Sequence, residues 1–249
     1  MPFSVLIEKY PALSSFLKSL HPPKFDLGDP ITLSTLNYYL FKEQVGVEIF
    51  VPKGHLIPTL GIRFAYAAII NRYAPKKTLV EIGTGASAAI SLILAKKFNR
   101  AIIATELNEI SYQSAMKNIV HNQLEKQITL LKSNGEIIRG LIPESDYGAI
   151  ISYPPIYSKS DLHLAHKKRG WRGVESELIG GEEPLEFSKK LIKESFTTEK
   201  VNFDTISLMV LNKSQVSELI DYSKKFTEKF KIFRVIAGTR ERWIILQDI

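Results

Sequence analysis

Short apolar runs alternate along this chain with longer segments in which apolar residues recur every three or four positions. The runs Thr78–Ile82, Ala101–Thr105, Ile128–Leu131 and Gly148–Ser152 are too short and too uniformly apolar for amphipathic helices, and they predict buried strands. Between them, Ser87–Phe98 and Glu109–Asn122 carry helical spacing, and Gly135–Leu141 predicts a further short helix. Pro184–Ser195 reads as a helix with proline in its first turn, Asp204–Leu211 as a strand and Ser214–Phe226 as a helix. Two strands, Phe230–Ala237 and Arg242–Gln247, close the chain, with Gly238-Thr239-Arg240 as the turn of a hairpin. Strand–helix alternation predicts an α/β fold in which a mostly parallel sheet is covered on both faces.

Residues 1–58 read differently. Pro11, Pro22, Pro23 and Pro30 punctuate short helical stretches, of which Ile31–Val45 aligns Leu33, Leu36, Leu40 and Phe41. An amino-terminal helical extension over 1–58 is expected, followed by one domain over 59–249 that opens with a helix at Gly61–Tyr73.

Composition narrows the chemistry. A chain of 249 residues, 45% of them hydrophobic, can bury a substantial core. It has no apolar run long enough to span a bilayer and no secretory core at its amino end, so a cytoplasmic protein without membrane association is expected. Cysteine is absent, which excludes disulfides, thiolate metal sites and cysteine nucleophiles. His163 and His166, three apart without a paired acid, make a poor metal site, so no metal is expected. Nothing indicates an oligomeric state. The net charge of +7 admits a polyanionic partner. Most lysines lie on helical segments, where a solvated face is the ordinary reading. From Tyr157 to Gly173, however, Lys159, Lys167, Lys168, Arg169 and Arg172 face the single acid Asp161 and interleave with Trp171, so charge and stacking groups coincide.

The first strand of the domain runs into Gly83-Thr84-Gly85-Ala86-Ser87. Two glycines permit a sharp turn and a close backbone approach to a ligand, and Ser87 falls where a helix amino end would expose unpaired N–H groups. The next strand ends at Glu106, at the spacing expected of a carboxylate gripping a ribose. Dinucleotide sites want a third glycine. Class I methyltransferases use a similar turn for S-adenosylmethionine, which carries no phosphate.

The strand ending at Ser152 leads into Tyr153-Pro154-Pro155-Ile156-Tyr157, and ligands of such sheets sit at the carboxyl ends of the strands. In enzymes that methylate amines this position carries Asn, Asp or Ser, then two prolines, then an aromatic residue. The polar side chain and the first proline's carbonyl accept hydrogen bonds from the amine and turn its lone pair toward the methyl group. The aromatic residue stacks on the extruded base.

The sequence resembles the N6-adenine RNA methyltransferases, a family that includes the bacterial enzyme RlmF, acting on large-subunit ribosomal RNA, and the eukaryotic enzyme acting on U6 small nuclear RNA. The resemblance covers about residues 25–247. It rests on Phe25-Asp26, Leu36-Asn37, Pro52-Lys53-Gly54-His55-Leu56-Ile57-Pro58, Arg63 with Tyr66, Ile82–Ser87, Thr105-Glu106, Pro154-Pro155 and Gly180-Gly181-Glu182 leading into Glu186-Phe187. It implies a Rossmann-like class I domain with a seven-stranded sheet and S-adenosylmethionine as cofactor. Arg63 would reach the cofactor carboxylate and Glu106 the ribose, with Gly83, Gly85, Ser87 and the stretch Asn134–Glu136 completing the cradle. Tyr153, Pro154 and Pro155 would form the catalytic turn. Ile156 and Tyr157 beside that turn, and Lys167, Lys168, Arg169, Trp171 and Arg172 by their charge and stacking groups, are expected to face an RNA substrate, and charge and position extend that surface to Lys24, His55 and Arg240.

One departure is large. The family turn is Asn-Pro-Pro-Phe, whereas here tyrosine precedes the prolines and isoleucine follows them. A phenol oxygen lies farther from the backbone than an amide oxygen, and Ile156 has no aromatic face. Methylation of adenine with altered geometry, methylation of another nitrogen of RNA or of a protein glutamine, and RNA binding without efficient catalysis all stay open.

Overall fold

The computed structural model describes residues 2–161, 173–238 and 240–249. The chain begins with helix α1 (Phe3–Lys9), a 3-10 turn (Pro11–Phe16), strands β1 (Leu17–Leu20) and β2 (Pro23–Phe25), and helix α2 (Pro30–Gln44). Next come α3 (Leu60–Tyr73), β3 (Leu79–Ile82), α4 (Ala89–Phe98), β4 (Ile102–Glu106), α5 (Glu109–His121) and β5 (Ile128–Lys132). The carboxyl half holds β6 (Ser145–Tyr147), β7 (Ala149–Ser152), α6 (Glu175–Leu178), α7 (Glu186–Thr197), β8 (Val201–Phe203), β9 (Thr205–Val210), α8 (Lys213–Ser223), β10 (Phe230–Ala237) and β11 (Arg240–Asp248).

Seven strands form the central sheet in the order β10-β11-β9-β7-β3-β4-β5. All run parallel except β11, which inserts antiparallel between β9 and β10. The terminal hairpin read from the sequence is therefore present, and its tight turn has Gly238 at φ +61°. Alternate side chains leave opposite faces of each strand, so the sheet divides two cores. Leu79, Ile102 and Ile151 pack with Phe41, Ile70 and Leu92 on one face. Val80, Ile150 and Leu208 pack with Leu191, Val216 and Leu219 on the other.

Three local expectations are corrected. Gly135–Leu141 forms turns rather than a helix. Side chains take its backbone groups instead: Glu194 accepts from the Ile138 N–H at 3.1 Å and Ser133 Oγ from the Gly135 N–H at 3.0 Å, which competes with helical pairing. The helix expected from Ser87 starts at Ala89, because Ala88 lies in the left-handed region at φ +51° and interrupts any helix begun earlier. The amino-terminal segment is not helical throughout, since β1 and β2 pair as a hairpin. That segment has a small cluster of its own around Leu6, Leu13, Phe25 and Leu36. Phe41, Val45, Val47 and Ile49 join the main core.

Two polar clamps hold the site end of the sheet. Tyr66 of α3 is fully buried, with its hydroxyl 2.9 Å from the Ser207 carbonyl and 3.2 Å from the Ser152 carbonyl, so one phenol bridges β7 and β9 where they separate. Asn118 of α5 is equally buried. Its amide donates to the Phe50 carbonyl at 2.8 Å and to the Ala86 carbonyl at 3.3 Å, while its oxygen accepts from the Phe50 N–H at 2.9 Å. Asn118→Ala strips partners from buried backbone groups, so we expect a stability loss of about 2–4 kcal/mol in urea unfolding with little change in the m-value. A loss under about 0.5 kcal/mol would show that the clamp is dispensable.

Candidate active site

The carboxyl ends of β3, β4 and β7 open into a cavity of about 750 Å³. Register explains the convergence: Ile82 lies beside Thr105 and Glu81 beside Ile151, so the three segments that follow these strands leave the sheet side by side. Ser152 Oγ donates to the Ile82 carbonyl at 2.8 Å and fixes the ends of β3 and β7 together. Gly83 and Thr84 both donate backbone N–H groups to the Thr105 carbonyl, at 3.1 and 2.9 Å.

Gly83 and Gly85 adopt φ +74° and +71°, and a Cβ built on either would point into open space. Glycine is thus demanded here by backbone conformation, with an empty face toward the cavity. Glu106 is buried at the end of β4, accepting from the Gly85 N–H at 2.8 Å and the Asn108 N–H at 2.9 Å. Burial raises its carboxyl above the usual glutamate range, and those N–H groups partly offset the shift.

Glu81, one strand residue before the turn, is 1% exposed and lines the same cavity. Its carboxylate accepts from Thr84 Oγ1 at 2.9 Å and from the Ser91 hydroxyl, and it also takes the Ser91 N–H at the amino end of α4. That placement supplies the cap that Ala88 lacks and sets a carboxylate against the positive end of the helix. Burial still raises the Glu81 carboxyl, with the nearby Glu106 charge adding to the rise.

Across the cavity stands the Tyr153-Pro154-Pro155-Ile156-Tyr157 turn. Gly180 lies against it so closely that a Cβ there would sit 2.5 Å from the Pro155 carbonyl oxygen. Reciprocal bonds between Tyr157 and the segment Leu178–Gly180 hold the two strips together. Gly180-Gly181 therefore has a packing role beside the site. Tyr153 extends between two arginines: the Arg63 guanidinium lies 5.2 Å from its ring centroid, and Arg242 Nε donates to its hydroxyl at 2.6 Å. Removal from water lowers the Arg63 guanidinium below its ordinary value; the Tyr153 phenol opposes the shift, and Arg240 and Arg242 add to it.

Of the residues singled out from sequence, Arg63, Gly83, Gly85, Ser87, Glu106, Tyr153, Pro154, Pro155, Ile156 and Tyr157 line this one cavity. Asn134 is exposed and does not; Ser133, Gly135 and Glu136 form that part of the wall. Ser87 is buried beside the turn, two residues short of the helix start. Ile156 belongs largely to the core, at 6% exposure, so it presents only an edge. His55 is a correction: it is 5% exposed, with neither ring nitrogen hydrogen-bonded, and does not form surface. Lys24 and Arg240 are exposed, and Arg240 also lines the mouth of the cavity. Lys167, Lys168, Arg169, Trp171 and Arg172, with His163 and His166, lie outside the described residues.

Several residues of the site escaped the sequence reading. Glu81 had a signal, an acid inside an otherwise apolar strand. Arg242 had a weaker one, a charge within the closing strand. Glu177, which accepts from the Leu56 N–H at 2.9 Å and ties the Pro52–Pro58 segment to α6 across the cavity, had none. Among the described residues no group of three or more metal-binding side chains exists, and no helix is long and apolar enough to cross a membrane.

A parallel sheet with one antiparallel strand near its end, a glycine turn after its first strand and an acid after the next define a class I methyltransferase fold. The chain belongs to the RNA methyltransferase family Methyltransf_10, whose model matches residues 1–246. It is 32% identical over 234 residues to MJ0046 of Methanocaldococcus jannaschii, named as a methyltransferase, covering 89% of this chain and 88% of that one. It is 27% identical over 173 residues to the U6 small nuclear RNA (adenine-(43)-N(6))-methyltransferase of Caenorhabditis elegans, and 24% over 266 residues to that of Schizosaccharomyces pombe. Those matches span 64% and 98% of this chain but only 36% and 65% of the relatives' own length. Among solved structures, the hMettl16 catalytic domain in complex with the MAT2A 3'UTR hairpin 1 superposes with a TM-score of 0.89 at 23% identity, covering 100% of this chain and 91% of that one. The N-terminal domain of human METTL16 in complex with SAH gives 0.82 at 23%, covering 100% and 94%.

Glu81 makes the fold pH-sensitive in a defined direction. Its pKa is raised on folding, so the penalty for ionising it is absent below the ordinary glutamate value of about 4.3 and complete above the raised folded value. Glu81→Gln should melt above the unaltered protein at pH 8, with the gap narrowing as the pH falls toward 5. Thermal melts showing a pH-independent gap, or a variant less stable throughout, would contradict this assignment.

Proposed function

We propose that this chain transfers a methyl group from S-adenosylmethionine to the exocyclic N6 of an adenine in structured RNA, ribosomal or small. The observation that carries the reading is the meeting, in one cavity, of a glycine cradle with its buried acid and a Pro-Pro turn on the opposite wall. Three features of the chain fit the cofactor. The backbone at Gly83 and Gly85 is bare toward the cavity, as a closely held ligand requires. Glu106 accepts from the backbone N–H groups of Gly85, Leu107 and Asn108, and a carboxylate's remaining lone pairs suit ribose hydroxyls. Arg63 has no carboxylate within ion-pair distance among the described residues, which suits it to the cofactor carboxylate.

When bound, S-adenosylmethionine supplies an electrophilic methyl group on a sulfonium. The chain supplies position. The Pro154 carbonyl accepts from the substrate amine and turns the nitrogen lone pair out of conjugation with the ring. Phe187 and Tyr157, both on the cavity wall, offer the aromatic faces that Ile156 does not. Ile137, Leu178 and Ile179 make that wall apolar and limit water around the reacting atoms. The named activities of the U6-directed relatives support the adenine assignment. The basic stretch Lys167–Arg172 and the exposed Arg240 are assigned here to RNA phosphates.

A second reading has one observation in its favour. The phenol of Tyr153 is held by Arg242 where the family turn has a carboxamide, which suits a cofactor-binding RNA-binding protein that does not transfer the methyl group.

Calorimetric titration with S-adenosylmethionine should show one site, weakened about 10–100-fold by Glu106→Ala, the cost of losing charge-assisted bonds to hydroxyls. Labelled cofactor incubated with total RNA of the host should then yield N6-methyladenosine on digestion. Absence of cofactor binding would end the reading; binding without label in RNA would select the non-catalytic one.

A further inference from the structure

Resting on the RNA-adenine reading, we propose that the Tyr153 hydroxyl donates a hydrogen bond to a ring nitrogen beside the target amine, and that Arg242 is the residue that positions it. The argument begins with the direction of one bond. An arginine can only donate, so the 2.6 Å contact from Arg242 Nε occupies a lone pair of the phenol oxygen and leaves the phenol's own proton unused. Among the described residues no acceptor takes that proton. The hydroxyl nevertheless belongs to a residue of the cavity wall, next in sequence to the Pro154-Pro155 turn.

The ring is fixed as well as the oxygen. Arg63 of α3 stacks on it at 5.2 Å, while Arg242 reaches it from β11, so two separate elements set its plane and its tip. An N–H donated to the oxygen polarises the O–H and strengthens it as a donor. Such a group cannot reproduce the carboxamide of the family turn, whose oxygen has both lone pairs free for an amine. It matches the complementary pattern. The amine falls to the Pro154 carbonyl, and the phenol proton seeks an acceptor beside it. In adenine the amine has an acceptor on each side, N1 bonded to the amine-bearing carbon and N7 one atom further round on the imidazole ring; in guanine one of the two nitrogens flanking its amine is itself a donor. The tyrosine substitution thus replaces an amine acceptor with a reader of the ring.

The test uses the full chain and a synthetic RNA spanning the adenosine found methylated in host RNA, carrying adenine, 1-deazaadenine or 7-deazaadenine at that position. Tyr153→Phe keeps the ring under Arg63, so it probes the hydroxyl without removing packing. Its affinity for S-adenosylmethionine should stay within about twofold, and its single-turnover methylation of the adenine RNA should fall about 10–100-fold. With the unaltered protein, one of the two deaza analogues should lower the rate by a similar factor and the other should leave it near that of adenine. In Tyr153→Phe the sensitive analogue should cause no further loss, because the bond it deletes is already gone. Losses that multiply, analogues that act equally in both proteins, or a Tyr153→Phe rate equal to or above the original would overturn the proposal while leaving adenine methylation intact. Failure of the unaltered protein to methylate any RNA adenine removes the underlying reading and the proposal with it.

Discussion

The parallel placement of β3 between β4 and β7 is the constraint on which the site depends. Each of the three strands ends in a segment with different chemistry: a glycine turn, a buried acid and a proline turn. None of these segments touches a ligand unless the strands end level with one another. The register of Ile82 with Thr105 and the Ser152–Ile82 hydrogen bond provide that alignment. Helices on both faces then bury the strands and make slippage costly, since a one-residue shift would exchange every side chain between two differently packed cores. The cavity is therefore a property of the sheet edge rather than of any one loop.

Two carboxyls, Glu81 and Glu106, are buried at that edge, where an isolated charge is expensive. Both are stabilised by the local backbone. Glu81 closes the amino end of α4, and Glu106 is held by N–H groups from the turns on either side of it. The turn that begins at Gly83 provides one donor to each acid, the Thr84 hydroxyl to Glu81 and the Gly85 N–H to Glu106, so backbone conformation and acid placement are linked. A carboxylate held this way keeps further lone pairs directed at the cavity, which is what recognition of hydroxyls requires. Burial raises both carboxyls above the usual glutamate range, so these donors offset only part of the cost of enclosing them.

How much of this was legible in the sequence follows from where each feature is encoded. The strands of the parallel sheet were readable because burial on both faces leaves an unbroken apolar run, and the glycine turn because positive φ demands glycine. Gly135–Leu141 misled because its apolar residues serve a turn whose backbone is satisfied by Glu194, fifty-six residues beyond Ile138. The start of α4 misled because the left-handed Ala88 has no sequence signature. Arg242 and Glu177 reach the cavity only through tertiary placement, and no local pattern marks a residue whose partner lies 89 or 121 positions away. His55 invited a surface role from its charge type alone, whereas the packing of its loop encloses it.

The Tyr153 departure illustrates how a local substitution is absorbed by residues far away in sequence. A phenol placed after β7 is too long to end where a carboxamide would, so its oxygen must find a partner farther across the sheet edge. Arg242 lies there because β11 inserts beside β9, on the same face as Arg63 of α3. Three guanidiniums, those of Arg63, Arg240 and Arg242, then line the cavity, and the tyrosine oxygen accepts from Arg242. A phenylalanine would fill the same space and stack under Arg63 but leave Arg242 without that acceptor. An asparagine would be too short to meet Arg242. The polar tip of Tyr153 is thus matched to Arg242 and its ring to Arg63, which makes the tyrosine a component of the site's charge arrangement rather than a degraded copy of the family turn.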